Sequence, residues 1–287
     1  MFRGDTMLEI SEAFSFEDTK LYAEKLETKY PFLSCTIIGR SHCGRGIFSY
    51  SLGRSSDSVL IVGATGGKSA ETALTLYRFI DRVCESVSTG NEISGISFSG
   101  LIKKYGITVI PCLNPDSAQL YAGLEKIPFG EEKDRGKWDA NAFGVDINLN
   151  FDSDWRKEKM LSLEKNILFA CAGGFPGNMK ESEPETRAFT ALCRRRNFRS
   201  CLTLQSSEGG LYYRRGDKSP VSSSLMAKIL ASSCGCSVSE SEMPPCPSRW
   251  FIDEFSKPAF LLGIPGEDNE NHLSAGLEET LVLMSVM

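Results

Sequence analysis

The sequence predicts an α/β fold with a mixed, mostly parallel sheet and helices on both faces. Three observations carry this. Apolar strand-like runs alternate with segments of helical periodicity, the pattern of a parallel sheet wrapped by helices. Two β-rich runs joined by the turn "HCG" read as a hairpin, which supplies an antiparallel edge. No repeat, low-complexity tract or linker interrupts the chain, so residues 1–287 are expected to form a single domain, with residues 1–30 as an N-terminal helical extension.

The elements follow in order. Ser15 and Asp18 have the spacing to cap a helix running to about Lys29, with Leu21, Ala23 and Leu26 on its inner side and Pro31 stopping it. "LSCTIIGRS" and "RGIFSYSLG" form the hairpin. Then come the strand "SVLIVGA", the helix "AETALTLYRFIDRVCES" and the strand "GITVIPCLN". After a long Gly-, Asp- and Asn-rich interval follow a helix opened by "SEPETRAF", the strand "FRSCLTLQS", the helix "SSLMAKILAS", the strand "PAFLLGIP" and the closing helix "GLEETLVLMSV". The interval between Asn114 and Thr186 has little periodicity, and loops that long inside a domain are usually ligand-facing.

Composition excludes several classes. The chain is 41% hydrophobic and 24% charged, enough to bury a substantial core. A net charge of -5 argues against nucleic acid or an anionic membrane as partner, since both demand clustered cations. The one basic run, Arg194 to Arg196, closes a helix, where cations suit the dipole. The N-terminal residues lack the apolar stretch of a signal peptide and nothing approaches a membrane-spanning length, so a cytoplasmic location is expected. Ten cysteines sit mostly in apolar runs without paired metal-type spacing and read as buried thiols, with Cys234, Cys236 and Cys246 the exposed-looking exceptions.

"GATGGKS", at the end of the first long apolar run, looks like a phosphate-binding loop. The motif needs four residues before its Gly-Lys-Ser, yet only Ala64, Thr65 and Gly66 separate Gly63 from Gly67, so the cradle is one residue short.

The ordered blocks "IGRSHCGRGIFSYSLG", "VLIVGATGGKSAETALTLYRFI", "YGITVIPCLNPDS", "KWDANAFGVDINLNFDSDW", "GGFPGNMKESEPETRAF", "LTLQSSEGGLYY" and "WFIDEFSKPAFLLGIPGE" resemble the zinc carboxypeptidase family, in particular its bacterial branch near the γ-D-glutamyl-diamino-acid peptidases. The resemblance implies a sheet of about eight strands. It also implies one zinc held by a His-x-x-Glu and a later His, with an open position for water and a Glu as general base. Aligned position by position, the family's metal ligands fall on Gly66, Ser69 and Gln205, and its general base on Gly263. In the loop with which the family grips the substrate carboxylate, Leu149 stands where the family has Arg or His, and Phe143 stands at a further family arginine. Gly66 and Gly67 are expected to leave room where the imidazole and metal would have stood. No metal, cofactor or catalytic residue is therefore assigned.

The candidate ligand-binding residues are Asn148, Asn150, Ser206, Glu208 and Tyr212, for a peptide-like or cell-wall-fragment ligand or a protein partner. Glu181, Glu183 and Glu185 read as acids near a helix start, with Ser182 and Glu185 at capping-box spacing. His42 and His272, the two histidines of the chain, read as surface or satisfied structural residues. The function implied is a non-catalytic pseudopeptidase. Two alternatives stay open: an active metallopeptidase or amidase recruiting Glu208, Asp146, Glu71 or a cysteine, and phosphate binding at Gly63 to Ser69 with Lys68. Whether Arg249 and Trp250 face the cleft is left to the fold.

Overall fold

A computed structural model describes residues 14–54, 57–128, 130, 132–207, 209–264 and 275–287. Seven strands among them form one sheet: β1 (Ser34–Arg40), β2 (Gly46–Gly53), β3 (Ser58–Val62), β4 (Gly106–Ile110), β5 (Phe198–Ser206), β6 (Gly210–Tyr212) and β7 (Ala259–Ile264). Their order is β1-β2-β4-β3-β5-β7-β6. The inner strands β4, β3, β5 and β7 run parallel, while β1, β2 and β6 pair antiparallel. The expected hairpin is the β1–β2 pair.

Among the described residues lie ten α-helices: α1 (Phe16–Lys29), α2 (Glu71–Thr89), α3 (Phe98–Lys104), α4 (Pro115–Tyr121), α5 (Ile147–Asn150), α6 (Trp155–Glu164), α7 (Pro184–Arg195), α8 (Ser222–Cys234), α9 (Pro247–Phe255) and α10 (Ala275–Val286). Strand alternation divides them between two layers. Val59 and Ile61 of β3 point into a core shared with Leu76 and Phe79 of α2, Leu230 of α8 and Leu281 of α10. Leu60 and Val62 point the other way, toward Phe189 of α7 and Trp250 of α9. Every residue of β3 and β4 is buried, which is why these runs are apolar throughout.

Several elements differ in detail from expectation. The capping box at Ser15 and Asp18 forms, but Leu21 is 38% exposed and Tyr22, one residue on, takes the inner position. The interval after Asn114 contains α4, α5 and α6, whose short lengths and polar content hide their period. No side chain caps α7: Ser182 donates instead to Glu183 Oε1, and Glu185 is fully buried. Cys246 is buried too, accepting at the start of α9 from the Arg249 amide. Trp250 belongs to the second core, its ring 5.8 Å from Phe189 and 5.7 Å from Phe255. Arg249 is buried against Asp154 and Glu158. No helix among the described residues is long and apolar enough to cross a membrane.

Trp250→Ala should lower the free energy of urea unfolding by about 3–5 kcal/mol, the cost of an aromatic-sized hole in a close-packed layer. Trp250→Phe keeps a ring there and discards an indole N–H that has no partner, so it should cost less than half as much.

Candidate functional site

The chain leaves β3 toward β4 on one side and later returns to β5 on the other. A crevice therefore opens at the carboxyl ends of β3 and β5, where open α/β sheets bind their ligands. The β3 end supplies Gly63 to Ser69, and the β5 end supplies Gln205 and Ser206. A third wall comes from the segment running through Asp139, Asp146 and Asn148.

The β3 loop is pinned rather than open. Ala64, at φ 43°, donates its amide to Thr72 Oγ1 at 2.7 Å, and that hydroxyl donates to Ser69 O. Asn114 Nδ2 holds Thr65 O at 3.1 Å. Lys68 N–H donates to Asp139 Oδ1 at 3.3 Å, so an amide that a phosphate would need already faces a carboxylate. Gly63, Ala64, Thr65, Gly66 and Gly67 are buried, and Lys68 points to solvent.

The space expected beside Gly66 is filled. A Cβ built there would lie 2.0 Å from Asp139 Oδ1 and 2.8 Å from Asp139 O. That segment is fixed in turn, since the Asp139 and Ala140 amides both donate to Ala172 O. At Gly67 an added Cβ would meet Trp138 O at 2.4 Å. Gly263 is closed as well: it pairs with Gln205 and Gly210 in the sheet, and a Cβ there would lie 2.1 Å from Ser207 Oγ. Ser69 Oγ accepts the Ser206 amide at 3.1 Å. Gln205 Nε2 donates to Thr65 Oγ1 at 3.2 Å and Asn148 Oδ1 at 3.1 Å.

The structure thus brings Gly66, Ser69, Gln205, Ser206 and Asn148 together. Asn150 is not among them. Expected to meet a ligand, it is fully buried and spends its amide on Pro176 O, Met179 O, Ser182 Oγ and the Glu183 N–H, holding the loop before α7 in place. Tyr212 is half-buried against the second core. Glu208 and His272 lie outside the described residues.

Two acids that the sequence did not single out as a pair share this wall. Burial raises the Asp139 carboxyl above its ordinary range, partly offset by Lys68. Burial, followed by the charge of Asp139, pushes Asp146 up to about 7, although the Gly174 and Asn148 amides donate to it. No spacing links Asp139 to Gly66, so only the fold could reveal their contact.

Residues 19–239 match the zinc carboxypeptidase family. The chain belongs to the zinc carboxypeptidase family. Among similar family proteins, γ-D-glutamyl-L-diamino acid endopeptidase 1 of Lysinibacillus sphaericus is 23% identical over 259 residues, covering 86% of this chain and 64% of that protein. The uncharacterized protein YqgT of Bacillus subtilis (strain 168) is 24% identical over 238 residues, covering 78% of this chain and 62% of that protein. The chain therefore spans less than two thirds of the length of these curated relatives.

The carboxypeptidase fold is equally plain in solved structures. Bovine thrombin-activatable fibrinolysis inhibitor, in complex with tick carboxypeptidase inhibitor, superposes with a TM-score of 0.72 at 18% identity, covering 96% of this chain and 95% of that chain. Murein-tripeptide amidase MpaA from Escherichia coli O157 superposes with a TM-score of 0.58 at 17% identity, covering 88% and 92%.

Gly66→Ala should destabilise the protein by about 1–3 kcal/mol through overpacking, measured by urea unfolding. Asp139→Ala in the same chain should restore only part of the loss, because the Asp139 carbonyl still stands 2.8 Å from the new methyl. A pH effect follows from Asp146, whose folded pKa of about 7 exceeds its ordinary 3.8. The folded state holds the extra proton, so this group's stabilisation is fully present below that ordinary value and is lost as pH rises through about 7. The melting temperature of Asp146→Asn should accordingly depend less steeply on pH across that window.

Proposed function

We propose that this member of the zinc carboxypeptidase family is a pseudopeptidase: its cleft holds a peptide-like or cell-wall-fragment ligand, or a protein partner, without hydrolysing it. One observation carries this. The two glycines that stand at a family metal-ligand position and at the general-base position have their side-chain space filled, by Asp139 and by Ser207.

The remaining ligand positions do not fit zinc. Ser69 and Gln205 offer neutral oxygens and an amide, already engaged with the Ser206 amide, Thr65 and Asn148. Zinc takes imidazole, thiolate or carboxylate and needs at least three protein donors here. Two candidate substitutes are also unsuited to a metal in the cleft. Asp146 is committed to the Gly174 and Asn148 amides, and Glu71 is exposed on the first turn of α2. The class of ligand is suggested by the γ-D-glutamyl-L-diamino acid named for the Lysinibacillus relative. A cytoplasmic location suits a protein whose ten cysteines are all free thiols.

A γ-D-glutamyl-diamino-acid peptide, titrated calorimetrically, should bind with an affinity that Asn148→Ala weakens, while chromatography detects no product after prolonged incubation. Hydrolysis that a chelator stops and Gln205→Ala abolishes would return the protein to the active peptidases.

A further inference from the structure

Beside Asn141 of the same segment, three side chains from two separate stretches of chain converge. His42 stands in the turn between β1 and β2, while Glu183 and Glu185 stand at the start of α7. Among the described residues, theirs is the His, Cys, Asp and Glu group able to hold a metal ion, with one donor atom of each within 4.8 Å of the others. His42 Nε2 lies 2.7 Å from Glu183 Oε2. We infer that His42, Glu183 and Glu185 form a site for a divalent transition-metal ion of the zinc class, tying the β1–β2 turn to the start of α7.

The donor set is one such ions accept: an imidazole nitrogen and two carboxylates, with room in the coordination sphere for water. It contrasts with the neutral groups of Ser69 and Gln205 in the cleft. Tetrahedral zinc with bonds of about 2.0–2.2 Å places its donors about 3.3–3.6 Å apart, so His42 and Glu183 need to separate only slightly. His42 sits on a turn and its side chain is 24% exposed, which provides a route for the ion.

A second, independent observation points to a ligand. Glu185 is fully buried, and its Oε1 has no hydrogen-bond partner. Its carboxylate is supported by a long 3.3 Å bond from Asn141 Nδ2 to Oε2 and by its own backbone amide. A buried carboxylate supported this thinly is costly unless a cation or proton joins it. Burial indeed pushes Glu185 up to about 7, with Asp116 adding to the shift. Burial also opposes the charge on Glu183, but hydrogen bonds from His42, Ser182 and Asn141 outweigh it and hold its pKa below the ordinary range.

The surroundings are built to orient these donors. Asn141 Nδ2 donates to Glu183 Oε2 at 2.7 Å as well as to Glu185, while its Oδ1 accepts the Phe143 and Val145 amides. Phe143 stacks on the His42 ring with centroids 3.9 Å apart, fixing its plane. Supports of this kind commonly change metal affinity 10- to 100-fold.

The test uses the full chain, reduced and freed of metal by chelator, titrated with Zn²⁺ in a competitive calorimetric assay. One ion should bind per chain. His42→Ala and Glu185→Gln should each weaken that binding at least tenfold, whereas Gln205→Ala and the Cys234→Ser/Cys236→Ser pair should leave it within about twofold. With Co²⁺ as probe, the wild-type protein should show visible bands of nitrogen and oxygen ligation without sulfur-to-metal charge transfer. This readout stands even if a variant fails to fold. Absence of saturable binding overturns the inference, as does binding indifferent to His42→Ala or a thiolate spectrum. Binding lost in Gln205→Ala overturns it too, and moves the ion to the cleft.

Discussion

Strand β3 constrains everything at the site. Its neighbours β4 and β5 occupy both edges, and layers of helices cover both faces, so all of its residues are buried and its position is fixed to within packing tolerance. Whatever follows Val62 must therefore emerge into the crevice beside the end of β5. The contacts of Thr65, Ser69, Gln205 and Ser206 are consequences of that placement, and so is the closeness of the β3 loop to the segment carrying Asp139 and Asn148.

In the family's chemistry such a crevice needs open volume and charged donors. Here Asp139 and Ser207 fill the space beside Gly66 and Gly263, while Ser69 and Gln205 are bonded to Ser206, Thr65 and Asn148. Two acids line the cleft wall, Asp139 and Asp146; burial raises both, and the charge of Asp139 raises Asp146 further. Behind this wall the chain invests in order: Asn141 and Asn150 satisfy carbonyls, carboxylates and amides that a long loop would otherwise bury unpaired. The same asparagines bring the start of α7 against the β1–β2 turn, and thereby gather His42, Glu183 and Glu185. A cluster of charged donors thus stands beside the same segment that lines the sheet-end cleft.

The sheet, its two helical layers and the hairpin edge were legible because burial on one or two faces writes a period into the chain. The short α4, α5 and α6 were not, since a helix of one to three turns in a polar segment leaves too few apolar positions to show one. Leu21 and Tyr22 illustrate a finer limit: helical spacing places a face to within a residue, and the large ring won the inner position. Ser182, Glu183 and Glu185 show a different failure. Their spacing matches a helix cap, yet the partners that decide their roles, His42, Asn141 and Asn150, lie more than thirty residues away in sequence.

By itself the sequence determined the fold class, the family and the absence of imidazole, thiolate and carboxylate at Gly66, Ser69 and Gln205, because each depends on residue type at a position or on local periodicity. Only the tertiary structure decided what packs against those residues, that Asn150 is buried among the loop's own hydrogen bonds, and that a histidine of the hairpin turn meets two glutamates at the start of α7. Those outcomes depend on distances between side chains remote along the chain, which packing sets and no local pattern encodes.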